Sequence, residues 1–171
     1  MKGELFKRSA MAMLFALTLL VAYPQSASHI RFMGIPINGS VSNFNAQLEK
    51  KGFKKTGDHY TGYFNKRKAW VGANVENGIL YGVHVSFVDL HSDLGGTTII
   101  NQYVMWELED QYNIEFVEKE SSDPYIHYLY YAVNEVGFFM TTIQEVHEHE
   151  YGIDVDIIDI ANARKAGVFG D

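Results

Sequence analysis

The sequence predicts an α+β fold, with two helices packed on one face of a mainly antiparallel sheet and two halves that each run helix, then strands. Three observations predict it. Val41–Leu48 and Ile100–Tyr112 carry apolar residues at helical spacing, and each is followed by runs of alternating or β-rich residues. Asn77-Gly78 joins two such β-rich runs and is the strongest hairpin signal in the chain, because both residues tolerate positive φ. No linker or low-complexity segment divides residues 29–171, so a single globular domain is expected there.

The first 28 residues have a different character. Lys2, Lys7 and Arg8 precede the uncharged apolar run Met11–Tyr23, and Ser26-Ala27-Ser28 supplies small residues. That is the layout of a secretory signal peptide, with cleavage expected after Ser28. The apolar run is shorter than the roughly 20 residues of a spanning helix, and Pro24 follows it, which argues against a permanent anchor.

His29–Phe53 contains the most complete set of local signals. Ile30, Phe32, Ile35 and Ile37 form an apolar, strand-like run broken at Gly34. Ser40 or Ser42 can cap the first helix by accepting from a first-turn N–H group. Val41, Phe44 and Leu48 give that helix an apolar face; Lys50 and Lys51 complement its negative end, and Gly52 can end it. Phe53–Asn65 predicts two short strands about Gly57-Asp58. Ala69–Asn74 and Ile79–Asp89 are the arms of the Asn77-Gly78 hairpin. In the second arm Tyr81, Val83, Val85 and Phe87 alternate with Gly82, His84, Ser86 and Val88, predicting one buried and one partly wet face.

A second helix is expected from about Thr97 to Tyr112. Ile100, Val104, Leu108 and Tyr112 form its buried stripe, widened by Ile99, Tyr103 and Trp106. Ile114–Val117 predicts a short strand and Glu118–Pro124 a polar loop. Tyr125–Val133 and Phe138–Val146 predict two longer strands, His147–Gly152 a turn, and Ile153–Ile160 a last strand in which Asp154 and Asp156 alternate with apolar residues. Ala161–Asp171 is expected to be a tail or a fraying helix.

Composition narrows the function. The full chain carries a net charge of −7, and removing residues 1–28 takes away three basic residues and one acidic residue, leaving −9. A domain that acidic lacks the basic footprint that nucleic acid or an anionic membrane requires. The chain has no cysteine. Thiol catalysis, cysteine-ligated metal and cysteine lipidation are therefore excluded, and stability must come from burial. With 11 Tyr and 11 Phe, a substantial core is available.

Local chemistry is sparse. His147 and His149 would point the same way from an extended segment and could hold zinc or copper, given a third ligand such as His91, Asp93 or His127. The HExxH spacing of zinc hydrolases is absent, and a solvated turn explains the same residues. Asp89, His91, Ser92 and Asp93 invite a triad, but triad members meet from separate segments. Capping of the second helix accounts for them better. Gly95-Gly96 matches no phosphate-loop pattern and predicts a turn. Tyr125, Tyr128, Tyr130 and Tyr131 offer an amphipathic surface. Alternation places Tyr128 and Tyr130 on one face and Tyr125 and Tyr131 on the other, with one set expected in the core and one exposed.

The opening FMGIPINGSVSNFNAQLEKKGF resembles small secreted proteins of Gram-negative gut-type bacteria, in which a G-I-P-I-x-G strand leads into a helix closed by K-K-G-F. VDIIDIANARKAG resembles their closing strand. The layout is also similar to β-lactamase-inhibitor and PepSY-like domains. The resemblance implies an α+β fold and brings no active-site motif with it.

The expectation is therefore an exported, periplasmic or extracellular binding module without enzymatic activity, recognising a protein, peptide or envelope component. Nucleic acid and stable membrane insertion after signal cleavage are not expected. No catalytic, cofactor-binding or metal residue is assigned. The alternatives are a metal-binding protein or metal-dependent hydrolase using His147 and His149, and a structural subunit of an envelope assembly.

Overall fold

A computed structural model describes residues 29–89 and 91–169. The signal peptide expected over residues 1–28, with its cleavage position, lies outside the described residues.

In chain order the elements are β1 (Arg31–Phe32), β2 (Ile35–Pro36), α1 (Val41–Lys50), β3 (Lys54–Thr56), β4 (His59–Phe64), β5 (Arg67–Glu76) and β6 (Ile79–Phe87). The second half follows with α2 (Leu94–Tyr112), β7 (Val117–Lys119), β8 (Ile126–Val133), β9 (Gly137–His147), β10 (Glu150–Asp159) and α3 (Ile160–Ala166). The fold is α+β. Eight strands form one antiparallel sheet in the order β3-β4-β5-β6-β10-β9-β8-β7, and β1 and β2 form a separate two-stranded ribbon. Each half is a helix followed by a four-strand meander, and the halves meet where β6 pairs with β10.

The opening run differs from the expected single strand. Met33 and Gly34 both take positive φ, 50° and 81°, so the chain folds back after Phe32 and pairs Arg31 with Pro36. Ile30, Phe32, Ile35 and Ile37 are all buried nonetheless. The α1 signals hold residue by residue. Ser40 Oγ accepts from the Asn43 N–H at 3.2 Å, Phe44 and Leu48 are buried, and Gly52 has φ 90°. The Phe53 N–H then donates to the Leu48 carbonyl at 3.1 Å, and the Phe53 ring lies over Gly62 of β4, where any Cβ would overlap it.

Four further boundaries shift for identifiable reasons. First, α2 begins at Leu94 rather than Thr97, because Asp93 accepts from both Gly95 N–H and Gly96 N–H, at 3.1 and 2.9 Å, and draws the glycines into the first turn. Second, β7 is Val117–Lys119, later than expected, since the Phe116 N–H is held by the Glu109 carboxylate. Third, only Glu148 and His149 separate β9 from β10. Fourth, the C-terminal segment forms a capped helix. Asp159 accepts from the Asn162 N–H at 2.8 Å, Gly167 closes the end at φ 78°, and Ile160, Ala163, Ala166 and Phe169 are buried. Three helices are therefore present among the described residues, against the two expected.

Two buried clusters reflect the alternation of the strands. Phe44 and Leu48 of α1 and Val104 and Leu108 of α2 share the first with Val83, Val85, Ile143, Val155 and Ile157. Ile160 and Ala163 of α3 share the second with Leu129, Phe138, Met140 and Ile158. Asp159, fully buried, ties the ends of the chain together by also accepting from the Ile30 N–H at 3.0 Å.

Candidate functional site

β10 carries Ile153, Val155 and Ile157 into the first cluster, so Asp154 and Asp156 must point to the other side of the sheet. There the register aligns Asp154 with Ser86 and Asp156 with His84 across the β6–β10 seam, and Asp154 with Thr142 of β9 on the other flank. His84 and Ser86 take this face because Val83, Val85 and Phe87 are buried on the opposite one. The nonlocal β6–β10 pairing thus brings His84 to Asp156, 72 positions away in the chain, and the β9–β10 hairpin completes the cluster.

The cluster is shielded from solvent and densely bonded. Asp154 and Asp156 are 4% and 3% exposed. His84 Nδ1 lies 3.0 Å from Asp156 Oδ1, and His84 Nε2 lies 3.9 Å from Asp154 Oδ2. Asn74 Nδ2 donates to Asp156 Oδ1 at 3.3 Å, and Gln144 Nε2 donates to Asp154 Oδ2. Burial alone would drive the His84 pKa down, but Asp156 and then Asp154 stabilise the cation and raise it to about 9. Burial pushes the Asp154 carboxyl up, against the pull of the His84 charge and the Ser86 hydroxyl. With His84 charged, both imidazole nitrogens are donors aimed at carboxylates, and neither has a lone pair for a metal ion. Among the described residues no three His, Cys, Asp or Glu side chains are grouped so as to hold a metal.

Aromatic groups flank this cluster. On β4 and β5 the buried Tyr60, Phe64, Ala69 and Val71 face the first core, so Tyr63 and Trp70 stand on the same side as His84 and Asp154. They are 67% and 41% exposed. Trp70 pairs with Ser86, which pairs with Asp154, so the indole lies in the same cross-sheet row as the carboxylate. The His59 ring packs against Trp70 with centroids 4.9 Å apart.

The residues singled out in the sequence fare differently. His147 ends β9, His149 sits in the tight turn at φ 58°, and both are exposed. His91 forms a backbone bridge to Tyr151, and Asp93 is committed to capping α2. His127 lies 3.8 Å from Glu145 and packs edge-on to Tyr151. These side chains do not converge.

The tyrosine strand β8 lies inside the sheet, between β7 and β9, and it does not divide into one core face and one exposed face. Tyr128 packs against the first cluster, while Tyr131 packs against the second and stacks on Phe138. Tyr125, just outside the strand, is exposed. Sequence reasoning missed His84, Asp154 and Asp156. The available signal was two aspartates at alternate positions within an otherwise apolar strand, a pattern that requires partners.

No family model, curated protein or solved structure matches this chain. Among the described residues, no helix is long and apolar enough to cross a membrane.

Proposed function

We propose that the protein is an exported binding module without enzymatic activity, and that the sheet face bearing Trp70, Tyr63, His84 and Asp154 is its contact surface. In this reading α1 and α2 cover one face of the sheet and leave much of the other to a protein, peptide or envelope component. One observation carries it: two large aromatic side chains stand exposed on the sheet face that carries a shielded charged cluster, with Trp70 in the same cross-sheet row as Asp154. Aromatic anchors beside desolvated polar groups are the composition of binding hot spots. Strand-borne side chains also hold their positions better than loop-borne ones. The secretory signal read from residues 1–28 supports a periplasmic or extracellular location, and the resemblance to small secreted α+β proteins agrees with it.

The test is affinity capture from an envelope extract with the wild-type domain, a Trp70→Ala/Tyr63→Ala variant, and a Tyr103→Ala/Trp106→Ala control on α2. A partner retained by wild type and the control but lost by the sheet variant supports the reading. Capture of nothing, or capture indifferent to Trp70 and Tyr63, sinks it.

A further inference from the structure

We infer that the site centred on Asp154 takes an organic cation, a guanidinium or ammonium group carried on an apolar stem, with Trp70 flanking the stem. This inference rests on the sheet-face reading above and names the ligand chemistry for it.

The first ground is an unmet acceptor. Asp154 is 4% exposed and its Oδ1 has no hydrogen-bond partner among the described residues, although Gln144 donates to Oδ2 and the Ser86 hydroxyl acts on the same carboxyl. A carboxylate oxygen held out of water without a donor is costly, and a charged donor meets that need better than a neutral one. The second ground is charge. Two carboxyl groups face one imidazolium, so with both acids ionised the cluster is one positive charge short of neutrality, and a bound cation would offset the burial that pushes the Asp154 carboxyl up. The amides of Asn74 and Gln144 donate hydrogen bonds but carry no charge to close that gap.

Trp70 is the third ground. Its register through Ser86 to Asp154 spans two strand spacings, roughly 10 Å, on one face. A long cationic side chain can lay its stem along the indole while its head reaches the carboxylate, as Arg and Lys stems do on apolar surfaces. Beside Trp70, the His59 ring has Nδ1 3.1 Å from the Asp58 carboxylate and Nε2 buried without a hydrogen-bond partner among the described residues. Two buried polar atoms on this face are therefore unmet. A metal ion fits less well, because the imidazolium nitrogens are already spent on carboxylates.

The experiment uses residues 29–171 carrying Trp106→Phe, so that Trp70 is the only indole. Fluorescence is titrated with Nα-acetyl-arginine amide, Nα-acetyl-lysine amide, free arginine and Nα-acetyl-citrulline amide, the last being the neutral isostere of the first. The expected result is a saturable response to at least one cationic probe, with citrulline weaker by roughly 10-fold or more. Stronger response to the amides than to free arginine points to a side chain within a peptide or protein. The reverse points to a small free cation, and either supports the inference. Asp154→Asn, checked for folding by circular dichroism, should bring arginine and citrulline to parity. Because that buried change can itself unfold the domain, Trp70→Tyr, at an exposed position, is run in parallel with intrinsic tyrosine emission and is expected to weaken cation binding several-fold. Equal binding of citrulline and arginine, or no saturation by any cation, overturns the inference. If capture of a partner remains dependent on Trp70 while no cation binds, only the ligand class is wrong. If Trp70 dependence is lost as well, the sheet-face reading falls with it.

Discussion

At the scale of single residues, His84 governs how the fold responds to alkali. Burial disfavours its charge, but Asp156 at 3.0 Å and Asp154 at 3.9 Å outweigh burial and raise its pKa to about 9, against roughly 6.5 in an unfolded chain. A folded-state pKa above the unfolded value means that the proton stabilises the fold. The contribution is complete below about pH 6.5 and disappears as pH rises through about 9, with a ceiling of order 3 kcal/mol. Urea midpoints of the wild type should therefore fall between pH 6.5 and 9.5. His84→Gln should start lower, because two buried carboxylates lose their cation, and should show little slope over that window. A wild-type midpoint flat from pH 6.5 to 9.5 would refute the assignment of a shielded imidazolium. None of this was legible in the sequence, although alternation did place His84 on the wetter side of its strand. That His84 meets Asp156 depends on a pairing across 72 positions, for which the chain offers no local signal.

At the scale of elements, helix α2 shows which part of a periodic pattern is decided by tertiary contact. Its sequence offers apolar residues around most of the circumference, and the stripe expected from Ile100, Val104, Leu108 and Tyr112 was widened to include Ile99, Tyr103 and Trp106. The fold buries Val104 and Leu108 as expected and packs Ile100 and Tyr112 against the same cluster, but it adds Thr97, Asn101 and Met105 to the buried stripe and leaves Ile99, Tyr103 and Trp106 more than half exposed. Two polar residues enter the buried stripe because each has a hydrogen-bond partner there. Thr97 donates to the Asp93 carbonyl at 2.8 Å, and Asn101 reaches Thr141 of β9 at 3.4 Å. Hydrophobicity alone ranks Trp106 above Thr97, so this rotation of the helix could not be read from composition. Leu108→Ala should cost about 2–5 kcal/mol by thermal or urea denaturation, whereas Trp106→Ala should stay within about 0.5 kcal/mol. Comparable losses from the two would mean that the exposed stripe is packed in solution. By contrast, the caps of α1, the Asn77-Gly78 turn and the β4–β6 meander were legible in advance, because their signals are local.

At the scale of the whole molecule, the two helix-and-meander halves raise the question of whether they fold as one. The sheet is mirror-ordered about the β6–β10 seam, whose register runs from Asp154 opposite Ser86 to Ile158 opposite Gly82. Gly82 permits that closeness, since a Cβ there would sit 3.1 Å from the Ile157 carbonyl oxygen. The first buried cluster mixes Val83 and Val85 of one half with Ile143, Val155 and Ile157 of the other. Two further ties cross between the halves: Asn77 Nδ2 donates to the Ala166 carbonyl at 2.9 Å, and Asp159 holds the Ile30 N–H at 3.0 Å. Neither half can open without exposing apolar surface of the other, so unfolding should be a single cooperative transition. The chain supplies its own reporters, because its two tryptophans fall one in each half, Trp70 on β5 and Trp106 on α2. Trp70→Phe and Trp106→Phe each leave one indole, and each remaining indole reads a different half. In each variant the fluorescence transition in urea should coincide with that of far-ultraviolet circular dichroism, with the same midpoint and the same m-value. If either indole reports a transition displaced from its own circular dichroism curve, the halves melt separately and the seam is a domain boundary. Coincidence would make the seam the most sensitive position in the fold. A substitution there that loosens β6 from β10 would then weaken the core and the Asp154 site together.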